Sequence, residues 1–318
     1  MKKLKLIFMG TPDFALPSLD LLQISPHAIA GLVTQPDRPR GRGRQLYRSP
    51  TKKWALKHGV ELFQPEKMND EDFLTWLSRI NPDLIVTVAY GRLLSKKILD
   101  LPPLGCINLH ASYLPAYRGA APIHRAVIDG AEYSGVSIID LTRELDGGDV
   151  IMQEKEEISF YDTAGMLHDR LAARGASLLV KAINALADGT AQKTPQDPAL
   201  VTYAPPLDQS DEKLNWNNSA LEIYNRIRGL NPWPGAYTSL RGKRLKVWQA
   251  ALPDLAENEE AGTEPGTILA VSEGSLIVST GTNNLTLLNL QPAGKKAMDA
   301  GAFCCGYRIE PGERLDGE

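Results

Sequence analysis

An amide and an imidazole stand two residues apart in a short segment of alternating polarity. Cys106, Ile107, Asn108, Leu109 and His110 alternate apolar and polar side chains, a pattern that predicts a β-strand. Because side chains on a strand repeat with period two, Asn108 and His110 point to the same side and can reach one substrate atom. Small residues and proline follow, so the pair lies where a strand ends in a loop, the edge at which α/β sheets bind ligands. The alternative is an edge strand whose Asn and His bond only to backbone.

A carboxylate on tight backbone offers a third group. Asp146 is followed by Gly147 and Gly148, so its loop can come close to another segment; the alternative is a turn aspartate that caps its own backbone. Asn, His and Asp together suit acyl transfer to an amine, because an amide N–H or a protonated imidazole stabilises the oxyanion and a paired His handles the amine's proton. Ser112 is not in a nucleophile-elbow context and Cys106 lies within the strand, so we do not expect a covalent route.

A second feature that could bind a ligand is a basic segment without acidic residues between positions 38 and 57. Its cations are Arg38, Arg40, Arg42, Arg44, Arg48, Lys52, Lys53 and Lys57. Such a block can bind a polyanion although the formal net charge of the chain is −3. Prolines and glycines between the arginines predict that residues 35–50 form a loop without regular structure. The alternative to a functional loop is a solvated basic surface.

Composition limits the class of protein. With 318 residues, 43% hydrophobic and 23% charged, the chain is long enough for two globular domains. Its apolar runs are too short to cross a bilayer, and residues 1–13 are typical of a first strand rather than a signal peptide. Three cysteines, two of them adjacent, form neither a disulfide framework nor a zinc site. We therefore predict a cytoplasmic protein without a metal.

The elements that must position these groups alternate between strand and helix. Strand patterns cover residues 4–9, 28–34, 60–63, 82–89, 106–110, 133–140 and 154–158. Helical patterns cover residues 14–23, 49–58, 70–79, 93–99, 121–129 and 163–187. This alternation predicts an α/β fold, a Rossmann-like doubly wound sheet of mainly parallel strands. Because Gly10 is followed by Thr11-Pro12 and G-x-G-x-x-G is absent, an NAD-dependent oxidoreductase is disfavoured.

The pattern changes after residue 189. Residues 190–208 are rich in Pro, Thr and Gln and indicate a linker between a domain of residues 1–189 and one of residues 209–318. The second domain has short strand patterns at 236–240, 245–250, 266–271, 276–279 and 285–290, which favour a small OB-like β-barrel. Lys295 and Lys296 follow the last of these strands.

The motifs together resemble a known family. Asn108-x-His110 with Ser112-Tyr-Leu-Pro115, Tyr117-Arg-Gly-Ala-Ala-Pro-Ile123 and Asp146 is similar to the 10-formyltetrahydrofolate-dependent formyltransferases. Further motifs narrow the resemblance to the branch that acts on methionyl-tRNA, and they extend over essentially the whole chain. These motifs are Phe8-Met-Gly-Thr-Pro-Asp-Phe-Ala15, Thr34-Gln-Pro-Asp-Arg-Pro39, Asn231-Pro-Trp-Pro234 and Leu290-Gln-Pro-Ala-Gly-Lys-Lys-Ala-Met298.

The resemblance implies a reaction and the residues that serve it. The formyl group of 10-formyltetrahydrofolate moves directly to the methionine α-amine of initiator methionyl-tRNA, through a tetrahedral intermediate, for translation initiation. Asn108 binds the formyl oxygen, His110 stabilises the intermediate or moves a proton, and Asp146 orients His110. The implied folate-binding residues are Ser112, Tyr113, Leu114, Pro115, Tyr90 and Gly91. The implied tRNA-binding residues are Arg38, Arg40, Arg42, Arg44, Lys295 and Lys296. The expected partners are the tRNA and the folate, with no membrane, and the expected state is a monomer.

Three positions depart from the family pattern. Ala111 stands where the family has Gly, Tyr113 where Leu is common, and Gly147 where Thr is frequent. If the Gly has a positive φ, Ala111 carries a conformational cost.

Two different functions remain compatible with part of the pattern. A sugar-amine or glycinamide-ribonucleotide formyltransferase would share the Asn–His–Asp set but would not need the basic segment with a barrel. An RNA-binding protein on an inactive enzyme fold would use the basic segment but would not turn over.

Overall fold

The fold is described from a computed structural model, which covers residues 2–40, 45–252, 263–272 and 274–316. Contacts between Cα atoms divide the chain into two compact units. The first holds the residues up to Pro122 together with Tyr133–Glu157 and His168–Pro205, and the second holds Ile123–Glu132, Ile158–Leu167 and the residues from Pro206 onward. The predicted boundaries at residues 189 and 208 stay a prediction.

Strands and helices alternate through the first unit, and strands dominate the second. Within the described residues the strands are β1 (Lys5–Gly10), β2 (Ala28–Val33), β3 (Arg38–Arg40), β4 (Gln45–Tyr47), β5 (Leu62–Phe63), β6 (Leu84–Val88), β7 (Cys106–His110), β8 (Arg118–Gly119), β9 (Tyr133–Asp140), β10 (Val150–Glu157), β11 (Tyr203–Ala204), β12 (Tyr237–Leu240), β13 (Lys243–Ala251), β14 (Ile268–Ser272), β15 (Ser275–Ser279), β16 (Asn284–Pro292), β17 (Met298–Asp299) and β18 (Leu315–Asp316). The helices there are α1 (Leu16–Gln23), α2 (Pro50–His58), α3 (Glu71–Ile80), α4 (Lys96–Leu99), α5 (Pro122–Ile128), α6 (Ala164–Asp188), α7 (Gln209–Glu212), α8 (Ala220–Gly229) and α9 (Ala300–Tyr307).

The central sheet of the first unit is mainly parallel. Its strand order is β10-β9-β7-β6-β1-β2-β5, with β1, β2, β5, β6 and β7 parallel to their neighbours in that group. Strand β9 runs antiparallel to β7, and β10 antiparallel to β9. From β1 the order runs outward through β2 and β5, then returns to β6 on the other side of β1. Ligands bind in open α/β sheets at the carboxyl ends of strands beside such a reversal, and the predicted α/β class is confirmed.

Burial explains why these residues form a sheet covered by helices. All five residues of β6 are buried, as expected for a strand with helices over both faces. Helix α3 turns Phe73, Trp76, Leu77 and Ile80 into a core that also contains Ile7 of β1. The spacing of these apolar side chains follows the helical repeat, so one face of the helix is apolar and the other is solvated.

Buried hydroxyl groups connect the ends of β1 and β2 to the start of α2. The Oγ1 atom of Thr51 donates to the main-chain oxygen of Gly10 at 2.9 Å. Thr34 Oγ1 lies 2.9 Å from both Ser49 Oγ and Thr51 Oγ1. Each of these polar groups has a partner although water does not reach it, so the network fixes the carboxyl edge of the sheet without a desolvation penalty.

The prediction that residues 35–50 lack regular structure is wrong in part. Strands β3 and β4 pair antiparallel as a two-stranded ribbon, with Pro39 opposite Leu46. A two-stranded ribbon leaves every second N–H pointing outward, so a proline at such a position removes no ladder hydrogen bond.

Helix α9 of the second unit was not predicted from the sequence. Asp299 caps its N-terminus by accepting from the N–H of Ala302, and Phe303 is buried in the core of the second unit.

The second unit is built on a curled antiparallel sheet of order β14-β15-β16-β13-β12-β18, with β17 paired to β16. Its core surrounds Trp216 and Phe303, two of the largest fully buried side chains. This arrangement confirms the predicted barrel-like character of the second domain. Among the described helices of both units, none combines the length and apolarity needed to cross a membrane.

Candidate active site

Strand β7 carries the amide and imidazole to the carboxyl edge of the parallel sheet. It lies between β6 and β9, so both of its edges are hydrogen-bonded within the sheet. Asn108 is half-buried, and His110 is only 6% exposed. Strand β6 lies beside the reversal of strand order and β7 is its parallel neighbour, so the pair lies at the carboxyl edge where this fold class binds ligands.

The hydrogen bond of His110 determines which ring nitrogen carries a proton. Nε2 lies 2.9 Å from the main-chain oxygen of Tyr117, and a carbonyl oxygen only accepts, so Nε2 is the N–H of the neutral ring. Nδ1 faces Asp146, whose Oδ2 lies 3.6 Å away, too far for a hydrogen bond. Neutral His110 therefore presents a lone pair on Nδ1, on the side of the ring that faces the Asp146 carboxylate.

Asp146 is held by main-chain contacts in an uncommon conformation. Its φ of +48° lies in the left-handed region, which Asp tolerates better than most residues. The N–H of Gly119 donates to Asp146 Oδ2 at 2.9 Å. The side-chain amide of Gln196 donates to the main-chain oxygens of Asp146 at 2.7 Å and of Gly148 at 2.8 Å. The predicted proximity of the Asp146 loop to another segment thus has a physical basis in these three contacts.

Asn108 is oriented by a residue that the sequence analysis missed. Thr87 on β6 is paired in register with Asn108, and its hydroxyl lies 2.7 Å from Asn108 Oδ1. A hydroxyl that donates to Oδ1 leaves the two Nδ2 hydrogens of Asn108 for another acceptor. The signal in the sequence was a single hydroxyl residue in an otherwise apolar strand pattern, but its partner depends on the register between two strands.

The segment after His110 turns its side chains inward. Ser112 is fully buried and its hydroxyl donates to the main-chain oxygen of Ala116 at 2.6 Å, while Leu114 packs against Ile139 in a small apolar cluster. The hydroxyl of Ser137 bridges the two, because it lies within hydrogen-bond distance of Ser112 O and Leu114 N. The segment from Ser112 to Leu114 is therefore fixed by its own side chains and by Ser137 and Ile139 of β9.

Two of the departures from the family pattern have a structural account here. The φ of Ala111 is not positive, so its methyl group carries no conformational cost. The ring of Tyr113 packs edge-on against Tyr133, and the ammonium group of Lys155 lies 5.2 Å and 4.2 Å from the centres of these rings. Tyr113 thus joins an aromatic and cationic cluster at the start of β9.

Tyr90 and Gly91 follow β6 at the same edge. The side chain of Tyr90 is 3% exposed, its hydroxyl donates to the sulfur of Met68 at 3.3 Å, and burial raises its pKa to about 12. The side-chain amide of Gln35 donates to the main-chain oxygen of Tyr90 at 2.8 Å. Gly91 has a φ of +76°, and a Cβ there would lie 3.1 Å from Gln35 Nε2. At the carboxyl edge of the sheet, Tyr90 and Gly91 therefore expose their main-chain groups and not the Tyr90 phenol.

The basic segment is described only in part. Arg38 is exposed on β3, the main chain of Arg40 pairs with Gln45, and Arg42 and Arg44 lie outside the described residues. Lys52 is turned inward to Asp37, at 2.7 Å. That hydrogen bond lowers the pKa of the Asp37 carboxyl.

Lys295 and Lys296 are exposed in the turn between β16 and β17 of the second unit. The side chain of Gln291 holds this turn by donating to Lys295 O at 2.8 Å, and it accepts from the indole N–H of Trp248 at 2.9 Å. Lys246 lies 5.1 Å from the centre of the Trp248 ring. The sheet thus adds an aromatic side chain and a further cation to the two predicted lysines, which the sequence analysis did not single out.

Two further predictions concern Cys106 as a nucleophile and the binding of a metal ion. Burial, with smaller contributions from Asp100 and Asp140, raises the pKa of the Cys106 thiol to about 12. A thiol in that environment is a poor nucleophile at neutral pH. Within the part of the chain that the structure describes, no group of His, Cys, Asp and Glu side chains is arranged to hold a metal ion.

Comparison with known proteins identifies the family. Residues 2–183 match the family model "Formyl transferase", and residues 206–308 match "Formyl transferase, C-terminal domain". A methionyl-tRNA formyltransferase of Moorella thermoacetica is 50% identical over 312 residues, which cover 98% of this chain and 99% of that protein.

Solved structures share the fold at low identity. WlaRD, a sugar 3N-formyl transferase, has a TM-score of 0.67 at 17% identity, covering 93% of this chain and 100% of that one. HypX from Aquifex aeolicus, solved with tetrahydrofolic acid, has a TM-score of 0.65 at 15% identity, covering 99% of this chain and 50% of that one. The relationship that the sequence motifs predicted is confirmed. The chain belongs to the formyl transferase family and, within it, to the methionyl-tRNA formyltransferases.

Proposed function

We propose that the chain transfers the formyl group of 10-formyltetrahydrofolate directly to the α-amino group of methionine on initiator methionyl-tRNA. The single observation that carries the proposal is the group formed by Asn108, His110 and Asp146 at the carboxyl edge of β7, in a chain that belongs to this family. The donor carries an activated formyl group, so the reaction needs an oxyanion donor and a proton acceptor but no enzyme nucleophile.

Asn108 serves the developing oxyanion. When the amine attacks the formyl carbon, a C–N bond forms and the carbonyl electrons move onto oxygen. The Nδ2 hydrogens of Asn108 donate to that oxygen, and the hydroxyl of Thr87 keeps Oδ1 turned away from it. An amide held in this way before the reaction starts stabilises the charge without reorganising.

His110 handles the proton of the attacking amine. Its Nδ1 lone pair takes the proton, and the imidazolium that results is stabilised by the Asp146 carboxylate 3.6 Å away. The tetrahedral intermediate then collapses, the bond between the formyl carbon and the folate nitrogen breaks, and that nitrogen leaves with the proton that the His110 imidazolium returns. The products are formyl-methionyl-tRNA and tetrahydrofolate.

The folate donor is proposed to bind against Tyr90–Gly91 and Ser112–Pro115. The two segments follow neighbouring parallel strands, β6, which lies beside the reversal of strand order, and β7. The side chains of Tyr90, Ser112 and Leu114 are buried in the protein, so recognition by these segments falls to main-chain groups and to the half-buried Tyr113 and Pro115. Main-chain recognition suits a planar heterocycle with alternating donors and acceptors.

The tRNA is proposed to contact basic residues of each unit. In the first unit these are Arg38, Arg40, Arg42 and Arg44; in the second they are Lys295 and Lys296 beside Trp248. Contacts of this kind go to phosphates, so they position the tRNA and make its affinity depend on salt. We further propose a cytoplasmic monomer.

The test is a single-turnover assay of formyl transfer from 10-formyltetrahydrofolate to charged initiator tRNA. Transfer by the wild type that falls by roughly 10² to 10³ in Asn108→Ala supports the proposal, since this is the usual loss when one oxyanion donor is removed. Asn69→Ala, at an exposed amide, is the matched control. No transfer to the tRNA, but transfer to a small amine, would assign the chain a different acceptor.

A further inference from the structure

Arg118 lies buried between two side chains that hold the Asp146 loop. The Arg118 side chain is 5% exposed. One of its terminal nitrogens, Nη1, donates to Glu144 Oε1 at 2.6 Å. Its Nε and Nη2 atoms both donate to Gln196 Oε1, at 3.1 Å and 2.9 Å. A buried guanidinium needs such partners, because an unpaired charge away from water is costly.

The contacts of Arg118 fix the orientation of the Gln196 amide. Arg118 has only donors, so the atom of Gln196 that faces it must be Oε1. The Nε2 group then faces the opposite way and donates to the main-chain oxygens of Asp146 and Gly148. Arg118 therefore supports the Asp146 loop in two ways. Through Gln196 it holds the main chain at Asp146 and Gly148, and it bonds directly to Glu144, two residues before Asp146.

Asp146 depends on this support. Its left-handed backbone conformation is sparsely populated for residues with a side chain and persists where neighbours impose it. Gly148 packs against the main chain of Asp140, where a Cβ would lie 2.8 Å from the carbonyl carbon. The N–H that binds the Asp146 carboxylate belongs to Gly119, the residue after Arg118. Moving Arg118 would thus move both the carboxylate and its donor.

Gly147 makes room for Glu144. The φ of Gly147 lies outside the left-handed region, so its backbone is open to any residue. A Cβ at this position would nevertheless lie 2.6 Å from Glu144 Cγ and 2.7 Å from Glu144 Oε2, and closer still to Cδ. A larger residue at position 147 would therefore displace the Glu144 side chain from Arg118.

We propose that Glu144 and Gly147 form a matched pair that acts through Arg118 to hold Asp146 against His110, with Glu144, Arg118 and Gln196 as positioning residues. The proposal rests on the proposed function, since it concerns the alignment of the same site. The Glu144 side chain is 66% exposed and can swing into solvent when its place is taken, whereas Arg118 is 5% exposed and stays bonded to Gln196.

A double-mutant cycle tests the pair. The variants are Gly147→Thr, Glu144→Ala and the combination of both, with Glu66→Ala as a control at an exposed glutamate of the same unit. Each single change is expected to slow transfer roughly tenfold at saturating substrates, the order expected when a catalytic group is misplaced by a fraction of an ångström. The KM values for folate and tRNA stay as in the wild type, because Arg118 and Glu144 do not touch either substrate in the proposed site.

The combined variant decides between pairing and independent damage. The three atoms nearest to a Cβ at position 147 all belong to the Glu144 side chain beyond its Cβ, so the double variant is expected to be no slower than Glu144→Ala alone. Three results would each overturn the proposal. They are a double variant whose rate loss is the product of the two single losses, losses confined to KM in the single variants, and a wild-type rate in Gly147→Thr. Urea unfolding of the wild type, the two single variants and the double variant measures the coupling of the two positions independently of the reaction. A wild type without transfer would refute the proposed function, and the unfolding cycle would still decide whether the two positions are coupled.

Discussion

Replacing Asp146 with asparagine isolates the charge of the carboxylate. Asparagine has nearly the same shape, tolerates the left-handed conformation of this residue, and can still accept from the N–H of Gly119. What disappears is the negative charge 3.6 Å from His110 Nδ1. The amide can also donate to the Nδ1 lone pair, which would occupy the group that takes the proton.

The size of the effect follows from Coulomb's law. At 3.6 Å, two unit charges interact by about 1 kcal/mol at the dielectric constant of water and about 5 kcal/mol at an effective value near 20. The two side chains are 7% and 11% exposed, so the higher end of this range applies more closely. Since each 1.36 kcal/mol changes a rate about tenfold, Asp146→Asn is expected to slow transfer by roughly 10 to 10³.

The assay is the same single-turnover transfer under saturating folate donor and charged tRNA. Asp72→Asn, on the exposed first turn of α3, controls for the change in net charge. Binding of both substrates is expected to stay as in the wild type. A rate within twofold of the wild type would refute the assignment of Asp146 as the partner of the protonated imidazole, and an equal loss in Asp72→Asn would show a non-specific charge effect.

Three further predictions use other parts of the molecule. Burial raises the pKa of Cys106 to about 12, so iodoacetamide at pH 8 is expected to modify the exposed Cys305 and to spare Cys106 until the protein unfolds. Peptide mass spectrometry would show which cysteine is modified. The Cys106→Ala variant should transfer the formyl group at the wild-type rate. Burial tends to raise the pKa of Asp211, but hydrogen bonds from Arg125 outweigh burial and hold the pKa below its usual range. The ionised Asp211 therefore stabilises the folded state above the unfolded pKa of about 3.9, and this contribution is lost as pH falls through the folded pKa. Urea unfolding should find Asp211→Asn less stable by about 1.5 to 3 kcal/mol at pH 7, with the difference shrinking below pH 4. Arg38→Gln should reduce the slope of log affinity for tRNA against log salt by about one and leave folate affinity unchanged; equal losses of both would remove Arg38 from the tRNA interface.

Local patterns were enough to predict the sheet and the strand that carries the site. The apolar run of β6 and the alternation in β7 each depend on one segment, so their structure could be read from neighbouring residues. The ribbon of β3 and β4 was missed because Pro39 was counted as a breaker, although a two-stranded ribbon tolerates a proline whose nitrogen points outward. Helix α9 contains two glycines and is held by its cap and by the burial of Phe303 rather than by propensity.

The support of the candidate site was beyond the reach of local patterns. Thr87 meets Asn108 only through the register of two strands, and Arg118 meets Gln196 across 78 residues of sequence. The positive φ of Tyr117 and Asp146 could not be predicted either, because neither residue is glycine. These contacts are long-range, so the residue types identified the chemistry while the three-dimensional packing supplied its alignment.

The hydroxyl pair of Thr34 and Ser49 has a consequence for how this enzyme family can change. The two residues lie on either side of residues 35–48, which carry the arginines of the basic segment, and their oxygens are 2.9 Å apart, so this stretch leaves and re-enters the fold at one place. Doubling the length of a loop with fixed ends costs only about 0.6 kcal/mol in closure entropy. The segment can therefore be lengthened, shortened or exchanged as a cassette while the strands that carry the chemistry keep their register. Grafting the corresponding segment of a relative between these two hydroxyls would test the proposed contact of this segment with tRNA in a working catalyst.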